Sequence, residues 1–174
     1  GTRKLILETA AKLDYRQNPL SRALRTSRTN LIGLMLPWNE PEVMDCVERV
    51  ASENGYKLLI QFTAYPRAGL ELEALRSFLD WNVDGIIWEP SGMTGDDFRP
   101  LIKTIREDGP PLVMLERNMK GADFPLISTD FDPVMRECAR HLQEKKYRRI
   151  VFVSGMDRSD ILDDKIRSMR NAAS

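Results

Sequence analysis

The chain has 174 residues, enough for one domain or for one domain and part of a second. No apolar run approaches the roughly 20 residues of a transmembrane helix, and the N-terminus lacks the apolar core of a signal peptide. These features argue against membrane and secreted classes, and we expect a cytoplasmic protein.

The net charge of the chain hides an uneven distribution. Overall, 26 basic residues balance 26 acidic ones. Residues 1–30 carry seven basic residues against two acidic ones, which leaves 19 against 24 in the other 144 residues. A cationic leader on an anionic body is expected when only one end of a protein meets nucleic acid.

The first predicted element is a helix over residues 2–13. Thr2 is a candidate cap, and apolar residues follow at Leu5, Ile6, Ala10 and Leu13 with helical spacing. This narrow stripe predicts one buried face. Such a helix needs neighbours, and none lie upstream in this sequence, so we expect a truncated or partly ordered chain in which Gly1 is not the natural start.

A basic arm follows this helix. Arg22, Arg25 and Arg28 suit phosphate contacts, and Leu24 among them suits insertion between bases. The segment 21–26 is too short to hold a helix alone in water, so we expect it to become ordered on binding. A solvated linker is the alternative interpretation.

From Leu31 onwards, apolar strand-like runs alternate with helical patterns. This order predicts an α/β fold with a doubly wound parallel sheet. The strands are predicted at 31–36, 56–62, 83–88, 112–115, 124–129 and, as a buried strand, 148–155. The first core helix is predicted to follow Pro41 and to stop at Asn54-Gly55. Further helices are predicted at 69–81, from near Asp96 to Gly109, over a segment with Val134, Met135, Cys138 and Leu142 on one face, and at 161–173.

Two cysteines lie within the helical patterns. Cys46 and Cys138 are far apart in sequence, and we predict buried free thiols in a reducing compartment rather than a disulfide.

A ligand site is predicted at the carboxyl ends of the strands, where ligands of open α/β sheets collect. An indole, a guanidinium and carboxylates there suit a small polar ligand. Trp38 is equally well explained as a cap on the core. The residues at these ends are Trp38, Thr63, Glu89 to Ser91, Arg117 and Asp130.

Other features are weak as sites. Asp96-Asp97 and Asp163-Asp164 are interpreted as helix-start or solvated charges rather than metal ligands. His141 is predicted at the surface, and the turn at 155–158 has no glycine-rich phosphate signature. We expect no metal and no cofactor.

Three stretches resemble the lactose-repressor family of bacterial transcription regulators. The first is N-P-x-x-R-x-L-R-T at 18–26, followed by T-x-x-I-G-L at 29–34 and a proline. The second is V-D-G-I-I at 83–87, and the third is the segment 147–155. The resemblance implies a periplasmic-binding-protein-like core of two subdomains, with a DNA-binding headpiece in front.

The resemblance divides the chain into four parts. Residues 1–17 would be the end of a helix-turn-helix headpiece, 18–30 the hinge helix and linker, 31–129 the first subdomain, and 130–174 part of the second. Leu24 would be the leucine that enters the minor groove of the operator. The implied DNA-binding residues are Thr2, Arg3, Arg16, Asn18, Ser21, Arg22, Leu24 and Arg25.

The resemblance also adds effector-site residues. Glu42 and Val43 would be helix contacts, Asp130 or Asp132 the crossover carboxylate, and Lys165 the basic residue of the last helix. With the strand-end residues, the implied effector set is Trp38, Glu42, Val43, Thr63, Glu89, Arg117, Asp130, Asp132 and Lys165.

The function implied is a repressor-like regulator whose effector, a sugar or related metabolite, controls hinge ordering on operator DNA. A homodimer is expected through the first two core helices. A solute-binding protein without DNA function is the alternative. An enzyme is disfavoured, because nucleotide-binding loops, a G-x-S-x-G elbow and a suitably placed histidine are lacking in the sequence.

Overall fold

The computed structural model describes residues 1–13, 15, 23, 25–63, 68–91, 98–117, 119, 122–153 and 160–173. Strands and helices alternate along the core, as predicted. In chain order the elements are α1 Thr2–Lys12, β1 Leu31–Leu36, α2 Pro41–Glu53, β2 Lys57–Phe62, α3 Ala68–Asp80, β3 Gly85–Trp88, α4 Phe98–Asp108, β4 Leu112–Leu115, β5 Leu126–Ile127, α5 Asp132–Glu144 and α6 Asp160–Ala173.

Five of these strands form one parallel sheet in the order β2-β1-β3-β4-β5. The chain leaves β1 for β2 on one side and then returns to place β3 on the other side. The predicted doubly wound parallel sheet is therefore confirmed. A ligand site in such a sheet is expected beyond the carboxyl ends of its strands.

The core lies between the sheet and the helices α3 and α4. The end of β1, Leu34 to Leu36, is completely buried, as expected for a central parallel strand covered on both faces. Phe78 of α3 lies so close to Gly33 that a Cβ atom there would come within 2.7 Å of its ring. Trp88 and Phe98 stack with ring centroids 5.9 Å apart. These contacts hold the carboxyl end of β3 in place.

The predicted buried strand at 148–155 is wrong over its described part, residues 148–153. These residues are not in a strand, and the exposed fractions of Val151 and Val153 are 84% and 86%. A strand needs a neighbour to pair its backbone N–H and C=O groups. None of the described strands lies beside this segment, so its apolar side chains remain in solvent. Ser154 and Gly155 lie outside the described residues.

Both cysteines are free, as predicted, but neither is buried. On α5 the helix turns Ala139 inward instead of Cys138 and Val134, and α6 packs against α5. Met135 and Leu142 of the predicted stripe are half-buried, whereas Val134 and Cys138 are exposed, so the inward face of α5 is centred on Ala139. Cys46 is exposed because α2 buries none of its residues completely. His141 is at the surface, as predicted.

The predicted apolar faces of α1 and α2 are only partly buried. On α1, Leu5, Ile6 and Leu13 are more than half exposed, so the expected burial of this face is wrong for the described chain. The Gly1 carbonyl accepts the first helical hydrogen bonds, and Thr2 already lies within the helix rather than capping it. On α2, Val50 is also exposed. In the described part of the chain, no helix combines the length and apolar character that crossing a membrane requires.

Candidate effector site

A cavity of about 450 Å³ opens at the carboxyl ends of β4 and β5. Its walls come from the segments after these strands, from the start of α5 and from α6. Apolar side chains and hydroxyl groups are mixed with charges of both signs, as expected for a site that binds a small polar molecule. The lining residues are Glu116, Arg117, Leu126, Ser128, Thr129, Asp130, Phe131, Asp132, Ile161, Asp164, Arg167 and Ser168.

Arg117 is the buried cation of this cavity. Its side chain is only 6% exposed, and its Nη1 donates to the carbonyl oxygen of Ser91 at 3.2 Å. Ser91 follows β3, so this bond joins the ends of two neighbouring strands. The guanidinium therefore has a defined orientation without a ligand, which lowers the entropy cost of binding.

Glu71 holds Ser91 in turn, and the sequence analysis missed it. This buried carboxylate of α3 accepts from the Ser91 backbone N–H at 2.6 Å, from the Ser91 hydroxyl at 2.9 Å and from Trp88 Nε1 at 3.4 Å. Burial raises its pKa, while the Ser91 and Trp88 hydrogen bonds and the Arg117 charge oppose the rise. The sequence signal was its helical spacing, since Glu71 lies in the same apolar stripe as Ala74, Leu75 and Phe78.

Glu89 is a second buried carboxyl near Arg117, and its side chain is 4% exposed. Burial raises its pKa to about 7, helped by the charges of Glu40 and Glu116 and opposed by Arg117. The backbone N–H of Glu89 donates to the Met35 carbonyl, which places the residue at the end of β3 beside β1. A carboxyl group with this pKa changes its charge near neutral pH.

The start of α5 forms the opposite wall. The Asp130 carboxylate accepts from the Asp132 backbone N–H at 3.0 Å. Asp132 accepts from the Ser168 hydroxyl of α6 and pairs with Arg136 at 3.6 Å. These bonds tie the two helices together at the cavity edge. Carboxylates at this edge suit ligand hydroxyl groups, which can donate to them.

Lys165 does not line the cavity. Its Nζ lies 4.0 Å from the ring centroid of Phe131, which is a cation–π contact, and it is Phe131 that faces the cavity. Phe131 was not among the predicted site residues. Its place at the end of a loop before α5 gave no periodic signal, although an aromatic ring there suits stacking on a sugar face.

The remaining predicted effector residues lie outside the described lining of this cavity. Trp38 is 38% exposed, and its indole N–H donates to the Glu40 carboxylate. Thr63 is buried, and its hydroxyl donates to the Leu36 carbonyl at 3.4 Å. Glu42 is exposed and Val43 is half-buried on the first turn of α2. The structure thus brings together Arg117, Asp130 and Asp132, with Glu89 close to Arg117.

Few of the predicted DNA-binding residues can be placed. Thr2 and Arg3 are exposed on α1, and Arg25 is exposed in a short stretch of helical geometry. Arg16, Asn18, Ser21, Arg22 and Leu24 lie outside the described residues. Within the described chain, no group of three or more His, Cys, Asp or Glu side chains is arranged to hold a metal ion.

The fold defines the class: an α/β lobe on a five-stranded parallel sheet, with a cavity at the carboxyl ends of β4 and β5. No protein-family model matches the chain. The chain is 28% identical over 167 residues to the HTH-type transcriptional regulator PtxS of Pseudomonas aeruginosa, covering 88% of the chain and 47% of PtxS. It thus spans about half the length of the curated relatives it matches.

Two solved structures share the fold. One is the Cra transcriptional dual regulator of Pseudomonas putida in complex with fructose 1-phosphate, with a TM-score of 0.70 and 18% identity over 82% of this chain and 53% of Cra. The other is the periplasmic binding protein of the arabinose transporter of Shewanella sp. ANA-3, with a TM-score of 0.69 and 23% identity over 82% of this chain and 50% of that protein. The chain is therefore similar to lactose-repressor-family transcriptional regulators over most of its length, the resemblance that its motifs indicated.

Proposed function

We propose that the chain is the hinge and part of the effector-binding core of a ligand-responsive DNA-binding regulator. The observation that carries the proposal is the junction of two parts. A cationic leader runs directly into a lobe whose relatives are transcriptional regulators. The division of the chain into four parts, with boundaries after residues 17, 30 and 129, belongs to this proposal, as does a cytoplasmic location.

The effector is a small polar molecule, a sugar or related metabolite, bound at the cavity beside β4 and β5. The oriented guanidinium of Arg117 and the carboxylates of Asp130 and Asp132 would bind its oxygens and hydroxyl groups. Because α5 and α6 line this cavity together with the ends of β4 and β5, a bound ligand would bridge these helices and the sheet. Effector and DNA affinities would then be coupled, typically by about 1–3 kcal/mol.

The arm supplies the DNA contacts. Arg22, Arg25 and Arg28 would neutralise phosphates, and Leu24 would insert into the minor groove from a hinge helix that forms on the duplex. A homodimer through α2 and α3 would present two arms at once. The incompletely covered apolar residues of α2 support this, because a second copy would bury them.

A solute-binding protein without DNA function is the second candidate. The observation in its favour is that a periplasmic sugar-binding protein shares the fold. The basic leader has no role in that function, so measuring DNA affinity separates the two candidates.

The test uses the full-length protein that contains this chain. Duplexes selected from a random-sequence pool on the wild type serve as the probe. We expect a steep salt dependence, and we expect Leu24→Ala and Arg25→Ala to weaken binding, with Arg25→Ala lowering the salt slope by about one. Arg99→Ala, which removes an exposed arginine of α4, is the matched control. A wild type that enriches no duplex at low ionic strength refutes the DNA-binding function.

The effector part is tested by thermal unfolding with a panel of monosaccharides, sugar phosphates and purines. A ligand that binds only the folded state raises the melting temperature, with a stabilisation that grows with the logarithm of its concentration relative to Kd. Arg117→Met should abolish the rise, and Arg99→Ala should leave it unchanged. A panel member that stabilises the wild type and Arg117→Met equally would remove this cavity as the site.

A further inference from the structure

Asp84 joins the basic leader to the sheet. This residue of the V-D-G-I-I motif immediately precedes β3, and its carboxylate accepts from two consecutive backbone N–H groups of the leader. Thr29 N–H donates to Oδ1 at 3.1 Å, and Asn30 N–H donates to Oδ2 at 3.0 Å. The Thr29 hydroxyl lies 3.3 Å from Oδ1 as well. One side chain therefore fixes the last two residues before β1.

The junction between the leader and the sheet also contains three residues with positive φ angles. Ser27, Asn30 and Asn82 have φ values of 54°, 57° and 49°, in the left-handed region that side chains other than glycine rarely adopt. Such a conformation persists only when its surroundings hold it. The Thr29 hydroxyl donates to the Asn82 carbonyl at 2.8 Å, and Asn30 Nδ2 donates to the Gly55 carbonyl at 3.2 Å. Both contacts add to the two Asp84 hydrogen bonds, which we call the carboxylate clamp, in holding Thr29 and Asn30.

The strand that follows Asp84 reaches the candidate effector site. β3 is paired with β1 on one side and β4 on the other, and is largely buried. Glu89 lies five positions after Asp84, about 17 Å along extended chain. Beyond Glu89 lies Ser91, whose carbonyl holds Arg117. One continuous paired strand therefore connects the two places, so a rigid displacement of β3 would move Asp84 together with its carboxyl end.

We propose that Asp84 is the positioning residue that fixes the DNA-binding arm on the core and passes displacement of β3 to it. The carboxylate touches neither DNA nor effector. It acts through Thr29 and Asn30, whose position sets the direction in which residues 1–28 leave the sheet. This inference rests on the proposed function, since it needs an arm that binds DNA and a cavity that binds an effector.

The test compares Asp84→Asn with Asp80→Asn in the full-length protein. Asp80 is exposed at the end of α3, so its substitution removes the same charge nearby without touching the clamp. In Asp84→Asn one carboxylate oxygen becomes an amide donor, and one backbone N–H of the leader loses its acceptor. We expect amide hydrogen exchange at residues 29 and 30 to be about tenfold faster than in the wild type, with no change in Asp80→Asn.

Duplex affinity gives the second readout, with duplexes selected on the wild type from a random-sequence pool. We expect Asp84→Asn to weaken binding several-fold, and Asp80→Asn to bind like the wild type. Thr29→Val supplies a second variant, because it removes the hydroxyl and keeps both backbone N–H bonds. It should fall between the wild type and Asp84→Asn in exchange and in affinity.

The outcomes separate the hypotheses. Unchanged exchange at residues 29 and 30, or a lowered melting temperature with duplex affinity equal to that of Asp80→Asn, overturns the inference, because Asp84 is then merely structural. A wild type that binds no duplex refutes the proposed function and the positioning role together. The exchange measurement still decides in that case whether Asp84 holds the leader.

Discussion

Glu71 accepts two hydrogen bonds from one residue, Ser91, through both of its carboxylate oxygens, at 2.6 Å from the backbone N–H and 2.9 Å from the hydroxyl. This pairing connects the first turn of α3 to the segment after β3. Through the Ser91 carbonyl it extends to Arg117. A completely buried carboxylate is retained here because its acceptors are used by neighbouring donors.

Glu71→Ala should lower the free energy of unfolding by about 2–4 kcal/mol, because it leaves the buried Ser91 and Trp88 donors without an acceptor. Glu71→Gln should cost less, since the amide oxygen still accepts from the Ser91 N–H. Urea unfolding measures both. Glu73→Ala, on the exposed face of the same helix, is the control, and equal losses in Glu73→Ala and Glu71→Ala would contradict the role of the pair.

Glu89 should make stability depend on pH. Its folded pKa of about 7 lies above the ordinary value of 4.5, because the carboxyl is buried. Between these values the folded state binds more protons than the unfolded state, so stability is highest below about pH 4.5 and falls as the pH rises to about 7.

Glu89→Gln removes this dependence. The variant should gain at most about 3 kcal/mol over the wild type at pH 8, with the gain shrinking toward pH 4.5. Urea unfolding across this range measures it, and Glu48→Gln on the exposed face of α2 is the control. A gain that is the same at every pH would show that the carboxyl titrates normally.

Gly33→Ala should destabilise the core. The added Cβ would lie 2.7–2.9 Å from three ring carbons of Phe78, which is closer than any van der Waals contact. Overpacking of this kind costs about 1–3 kcal/mol. Gly69→Ala is the matched control, because a Cβ there meets nothing within 4 Å and alanine favours the helix.

A double variant tests whether the Phe78 ring causes the destabilisation expected for Gly33→Ala. If it clashes, Gly33→Ala in a Phe78→Leu background should cost less than in the wild type, because the smaller side chain leaves room. Additive losses in the double variant would place the strain elsewhere.

Cys46 and Cys138 should both react with a thiol reagent such as DTNB in the folded protein. Both are exposed and free, whereas burial would protect them until unfolding. Cys46→Ser and Cys138→Ser should each remove one equivalent of native reactivity. A thiol that reacts only in denaturant would place that cysteine inside the fold.

Local sequence patterns predicted the fold well. The apolar run Leu31–Leu36 and the run Leu112–Leu115 are strands with the predicted ends, and α2 begins at the predicted proline. A buried parallel strand needs only a short apolar segment between turn residues, so its signal lies within a few residues. Resemblance to the regulator family was equally readable, because its motifs are short and contiguous.

The candidate site was predicted only in part. Arg117 and Asp130 were chosen because strand ends share one edge of a parallel sheet, and Asp132 because the family resemblance implied it; all three line one cavity. Trp38 and Thr63 lie at the same edge of the sheet, but the Trp38 indole N–H donates to the Glu40 carboxylate and the Thr63 hydroxyl donates to the Leu36 carbonyl. Strand position places a backbone, whereas the direction of a side chain depends on what packs beside it.

The sequence by itself determined the order of strands and helices, the separation of a cationic leader from an anionic body, and the family whose motifs the chain carries. Each depends on residues close together in the chain. Only the tertiary structure decided that Glu71 is buried beneath Ser91, that α6 completes the cavity beside Arg117, and that residues 148–153 lie in solvent. The physical reason is that burial and hydrogen-bond partners are set by segments far apart in sequence, whose contacts no local pattern records.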